Sequence, residues 1–283
     1  MGSAVTLLDC TIRMTGPEVA GIAGTEDPDE RSAELAAVRA GTVGRVHSWE
    51  LVTGLDGPGT RLTVFLSGCV LRCQYCHNPD TWRLSDGRLT TLDKLMDRIA
   101  RRAAALKIMH GGVTLSGGEP LIQRPFVTNV LQRCKELGLH TTLDTSGYLG
   151  MRAEDELLDA VDLVLLDVKA GLPETYKTVT GRQLAPTLRF GRRLRDRGTP
   201  IWIRYVLVPG LTDGEEDVNI VADYAASIGE VVERVEVLPF HQMGRDKWKA
   251  LDIPYPLEHT QPPSAELVTR VQETFRSRGL VTF

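Results

Sequence analysis

From Gly44 onward, short β-branched apolar runs alternate with longer stretches of helical period, and this alternation restricts the fold more than any other feature. Residues 62–66, 113–115, 140–143, 163–167, 201–207 and 235–238 read as strands. Residues 91–109, 125–137, 154–160, 184–197, 215–228 and 264–277 read as helices. Six β–α units in succession imply a parallel sheet with right-handed crossovers, so the expected fold is α/β, a partial (β/α)6 barrel of parallel strands. In such sheets ligands gather in the loops at the C-terminal ends of the strands. The unusual residues fall there: a cysteine group after the first strand, Ser116 to Pro120 after the second, Asp144 to Gly147 after the third, Asp167 to Lys169 at the fourth and His241 after the sixth.

The first 42 residues are rich in Ala, Gly, Thr, Asp and Glu and hold no aromatic residue. The expected division is an N-terminal extension, 1–42, and one barrel domain, 43–283, with a short helix from Asp27 to Arg39. Hydrophobic residues are 42% and charged residues 25% of the 283, ordinary globular usage. A formal charge of −4 argues against a general nucleic-acid surface. The basic run from Arg189 to Arg197 reads as a solvated helix face. With no long apolar run and no basic leader before one, neither a membrane span nor a secretory signal is expected, and the chain reads as cytoplasmic.

Five cysteines occur, of which Cys10 and Cys134 stand alone while Cys69, Cys73 and Cys76 share one loop. An odd count with three so crowded points to metal chemistry rather than a disulfide framework. Thiolate ligation suits tetrahedral zinc or an iron–sulfur cluster. Zinc in a closed site wants four protein ligands, and His77, directly after Cys76, is awkward to aim at the same ion. A four-iron cluster held by three cysteines leaves one iron open to a ligand.

The Cys69-x-x-x-Cys73-x-x-Cys76 spacing, with Tyr75 before the last cysteine, resembles the signature of the radical S-adenosylmethionine superfamily. Asp56-Gly57-Pro58-Gly59-Thr60-Arg61, Cys73-Gln74-Tyr75-Cys76-His77-Asn78 and Ser116-Gly117-Gly118-Glu119 resemble the pyruvate formate-lyase activating family within it. So do Leu143-Asp144-Thr145, Leu166-Asp167-Val168-Lys169, Trp202-Ile203-Arg204-Tyr205 and Leu238-Pro239-Phe240-His241, and the likeness runs from Gly44 to Phe283.

That resemblance implies a [4Fe-4S] cluster on Cys69, Cys73 and Cys76, with S-adenosylmethionine on its open iron. Reductive cleavage would give methionine and a 5′-deoxyadenosyl radical that takes a hydrogen atom from a glycine of pyruvate formate-lyase. Ser116, Gly117, Gly118 and Glu119 would bind the methionine amino group. Asp144, Thr145 and Asp167, with the Leu165 carbonyl, would hold a monovalent cation. Lys169 and His241 would lie near the methionine and ribose, Arg204 near the opening, Tyr75, His77 and Asn78 beside the adenine, and Asp56 to Gly59 near the substrate's glycyl loop. A low-potential donor such as flavodoxin and a monomeric state complete the expectation. The rivals are a radical enzyme acting on another glycyl-radical enzyme or a small molecule, and a zinc module. His47, His110, His140 and His259 and the tryptophans read as packing residues.

Overall fold

Every second residue of the strands is apolar and faces helices, and this period-two pattern builds the sheet. The computed structural model describes residues 28–283, and Cys10 and the rest of 1–27 lie outside the described residues. In chain order the elements are α1 (Pro28–Arg39), β1 (Val43–Thr53), β2 (Thr60–Leu66), β3 (Arg88–Thr91), α2 (Leu92–Ile108) and β4 (Gly112–Gly117). There follow α3 (Arg124–Glu136), β5 (His140–Thr145), α4 (Asp155–Asp159), β6 (Leu163–Asp167), α5 (Pro173–Thr180) and α6 (Ala185–Arg197). The last are β7 (Ile201–Leu207), α7 (Glu215–Ile228), β8 (Val232–Pro239), α8 (Arg245–Ala250) and α9 (Ala265–Arg276).

The strands form one sheet in the order β3-β1-β2-β4-β5-β6-β7-β8. From β2 to β8 all pairings are parallel, which matches the six expected strands and the partial barrel. β1 and β3 were not foreseen, and both pair antiparallel. β1 breaks register between Val46 and Ser48, which disrupts the apolar alternation that would have marked it, and β3 is only four residues long. No helix of the described residues is long and apolar enough to cross a membrane.

Leu62, Val64, Leu115, Leu143, Val164, Leu166, Ile203 and Val235 pack outward into one core with Ile99, Phe126, Val130, Leu194, Val221 and Phe275 of the helices. The alternate residues, including Thr63, Ser116, Asp144, Asp167, Arg204 and Glu236, therefore share the inner face. A face so polar, in a sheet otherwise covered, is where a ligand belongs.

One local reading changes in the structure. The arginines of α6 are not merely solvated: Arg193 and Arg197 hold Asp155 of α4 at 2.6 and 2.8 Å, and Arg197 also bonds Asp159. On the extension side of the expected boundary, Glu34 of α1 pairs with Arg45 of β1 at 2.8 Å, and Asn129 donates to the carbonyls of Ala40 and Gly41.

Candidate active site

The loop after β2 turns at Gly68, whose φ of +96° lies where a side chain strains the backbone. It is pinned on one side by Gly68 N–H on the Thr81 carbonyl (2.7 Å) and Cys69 N–H on that of Trp82 (3.0 Å). On the other, Arg72 and Gln74 N–H donate to the carbonyls of Thr180 and Val179 at the end of α5, both at 2.9 Å. Leu71, Cys73 and Tyr75 pack with Val179, Val208, Phe240 and Leu257. The indole of Trp248 donates to the Cys76 carbonyl at 2.8 Å and meets Trp82 edge-on at 5.0 Å. Burial pushes the thiols of Cys69 and Cys73 up to about 12 and that of Cys76 up to about 11, so thiolates here need a bound cation to offset desolvation.

The loop after β4 closes against this one. Gly117 has φ +114°, and a Cβ on Gly118 would stand 2.3 Å from the Gly68 carbonyl oxygen. That close approach is why two glycines stand here. Glu119 N–H then donates to the Gly68 carbonyl at 2.8 Å. The Glu119 carboxylate, 0% exposed, takes hydrogen bonds from the Leu121 and Ser146 N–H groups (both 3.1 Å) and from the hydroxyls of Thr145 (2.7 Å) and Ser146 (2.5 Å). Both its oxygens are spent on joining the ends of β4 and β5. What Ser116, Gly117, Gly118 and Glu119 can offer a ligand is chiefly backbone.

On the inner face, Asp144 accepts from the Ser116 hydroxyl at 2.6 Å and from Arg204 at 3.3 Å. Its other oxygen is buried without a partner, and burial raises its pKa to about 6. Arg204 also faces Glu236 at 3.5 Å and Asp56 at 3.8 Å. Asp56 is steadied by the Thr63 hydroxyl, and its own carbonyl accepts from Thr114. Asp167 holds the Lys169 ammonium at 2.6 Å, and that ammonium lies 5.7 Å from the ring centre of Tyr75. His77 and His241 stack with centres 4.1 Å apart, and burial, helped by His241, lowers His77 to about 4. The inner face thus carries four carboxylates, Asp56, Asp144, Asp167 and Glu236, together with four cations, Lys169, Arg204, Arg61 and Arg234. Charge there is nearly matched, and the unpartnered oxygen of Asp144 is the acceptor left over.

The donor set fits the implied cofactors. Among the described residues no three His, Cys, Asp or Glu side chains converge tightly enough to hold one metal ion. Three thiols that each hold a different iron of one cluster need no such convergence. The free oxygen of Asp144 and the buried, unpartnered hydroxyl of Tyr75 are polar atoms awaiting a ligand at the mouth of the barrel. Thr145 keeps one hydroxyl lone pair available, since its hydroxyl donates to Glu119 and accepts from Gly147 N–H.

Sequence reasoning missed Glu236, whose only signal was an acid inside an apolar strand, and the backing role of Trp82 and Trp248. It also passed over Arg61, fully buried at the start of β2 and bonded to Thr114, Thr142, His140 and the Val113 carbonyl.

A partial parallel barrel with three cysteines after its first parallel strand defines a radical S-adenosylmethionine protein, and residues 63–220 match the family model described as the radical SAM superfamily. The chain is 42% identical over 232 residues to the pyruvate formate-lyase-activating enzyme of Listeria monocytogenes, covering 80% of this chain and 93% of that one. It is 38% identical over 239 residues to the pyruvate formate-lyase 1-activating enzyme of Escherichia coli, covering 84% and 97%. A crystal structure of a domain of the Bacteroides vulgatus pyruvate-formate lyase-activating enzyme superposes with TM-score 0.52 at 26% identity, over 61% of this chain and 98% of that one. The chain belongs to the pyruvate formate-lyase-activating enzymes, a family of the radical SAM superfamily.

Proposed function

We propose that this chain activates pyruvate formate-lyase by placing a radical on one of its backbone glycines. The carrying observation is the backbone joining of the three-thiol loop to the loop of Ser116 to Glu119, in a chain 42% identical to an activating enzyme over 93% of that enzyme's length. When bound, the [4Fe-4S] cluster and S-adenosylmethionine supply the electron and the 5′-deoxyadenosyl radical that takes the glycine hydrogen.

The chain's own part is placement and exclusion of water. Cys69, Cys73 and Cys76 would hold three irons, on a loop fixed from both sides by backbone hydrogen bonds. Ser116, Gly117 and Gly118 present backbone groups to the methionine amino group, while Glu119 braces them from below. Asp144, Thr145 and Asp167 would hold a monovalent cation, and Lys169 would offer a positive charge to the methionine carboxylate. Tyr75, His77 and His241 border the nucleoside, with His77 neutral at ordinary pH. Arg204, flanked by Asp56 and Glu236, marks where the glycyl segment enters. The electron comes from a low-potential carrier such as flavodoxin. The protein works as a cytoplasmic monomer, with 43–283 as its catalytic domain.

The test is anaerobic reconstitution with iron and sulfide, then incubation with S-adenosylmethionine, a reductant and purified pyruvate formate-lyase, read by electron paramagnetic resonance. A glycyl radical signal is expected. If 5′-deoxyadenosine forms without that signal, the target is another molecule. Cys73→Ala should abolish 5′-deoxyadenosine formation, and retained turnover would refute the cluster ligands.

A further inference from the structure

The outer side of the cysteine loop carries cations with no carboxylate to answer them. Arg72, between two cluster cysteines, donates to the Cys69 and Leu71 carbonyls, both at 2.7 Å, and its guanidinium lies 4.9 Å from the ring centre of Trp82. Arg182, just past α5, donates through Nε to the Val70 carbonyl at 2.8 Å. Lys177, in the last turn of α5, is exposed on the same seam, where Gly181 N–H bonds its carbonyl and Arg72 N–H bonds that of Thr180. Among the described residues none of the three has a carboxylate within ion-pair distance, although ion pairs engage Arg193, Arg197, Arg204 and Arg278 elsewhere. Other cations, such as Lys94, Arg101 and Arg102 of α2, also lack an ion pair among the described residues, but these three gather at the loop that carries the thiols.

Both guanidiniums are held on the carbonyls of Cys69, Val70 and Leu71, so the patch is fixed to the loop that carries the thiols. Such a patch, presented to solvent, draws an acidic partner by steering and orients it on that loop. We propose that Arg72, Lys177 and Arg182 form the docking face for an acidic one-electron carrier protein. One electron leaves the carrier and enters the cluster, and no bond is made or broken. The proposal rests on the radical-enzyme reading above and names the face that reading leaves open.

The experiment uses the reconstituted enzyme and an acidic flavodoxin as probe. Its readouts are the dissociation constant by titration calorimetry and the rate of cluster reduction, each across a range of salt. For Arg72→Gln/Arg182→Gln, which keeps hydrogen-bond donors, and for Lys177→Glu, binding should weaken about tenfold and lose much of its salt dependence. Reduction by a photoexcited uncharged deazaflavin should stay as in the parent, and for Lys177→Glu so should the cluster's midpoint potential. Unchanged flavodoxin binding and salt slope in both variants overturns the proposal. Loss of reduction with both donors together with a shifted potential also overturns it, since the cations would then serve the cluster itself. A parent enzyme that binds and accepts electrons but never cleaves S-adenosylmethionine would sink the radical-enzyme reading and leave the docking face standing.

Discussion

Glu119 is a charge shut away from water, and it is tolerated because four donors surround it. Glu119→Gln puts an amide N–H₂ where an acceptor is required, so the apoprotein should lose about 2–3 kcal/mol of stability. Chemical denaturation checks this, and an unchanged midpoint would show that the network is not tight. His140 makes a pH prediction. Burial and the neighbouring Arg61 hold its imidazole below the ordinary range, and its Nδ1, 3.1 Å from Arg61, serves as an acceptor only when unprotonated. The unfolded chain therefore takes up this proton first as the pH drops, and stability falls from about pH 6.5 downward. His77, also lowered, contributes to the same slope. His140→Gln should flatten part of the decline in Tm between pH 7 and 5. An identical slope in the variant would exclude His140 as a source.

At the scale of elements, the two loops that follow β2 and β4 are fitted to each other through backbone. Gly118 N–H bonds the Leu66 carbonyl at 2.8 Å, and there is no room for a methyl group on Gly118. Gly118→Ala must push the Gly68 peptide and with it Cys69, so iron content after reconstitution should fall to less than half that of the parent while far-ultraviolet circular dichroism stays unchanged. Full iron loading would show that the cysteine loop moves independently. In the sequence the glycine pair is read, through the resemblance, as a binder of the methionine amino group, and nothing there shows its contact with the cysteine loop. Its role is a contact across 50 residues of chain, which local pattern does not encode.

Across the whole molecule, Arg204 of β7 ties together Asp144 of β5, Glu236 of β8 and Asp56 of the β1–β2 connection. It sits among acids whose burial would be costly without it. Arg204→Gln should destabilise the apoprotein by about 3–5 kcal/mol, as expected when one partner of a buried ionic group is removed. Denaturant unfolding measures it, and a loss under 1 kcal/mol would mean that the interior is open enough for water to screen these charges. The network is also why the expected list of site residues was incomplete. Glu236 is an ordinary acid in sequence and becomes part of the site only because β8 lies beside β7.

By itself the sequence determined the six parallel strands, the helices apart from α5 and α8, and the strand-end residues, because hydrophobic period and cysteine spacing are local properties of a chain. Tertiary structure alone decided that β1 and β3 extend the sheet, that the Glu119 carboxylate braces β4 against β5, and that Arg72 and Arg182 find no ion pair while Arg193 and Arg197 of α6 do. The physical reason is the same in each case. Whether a charge or an edge finds a partner depends on which distant segments packing brings beside it, and one sequence read along its length does not contain that distance.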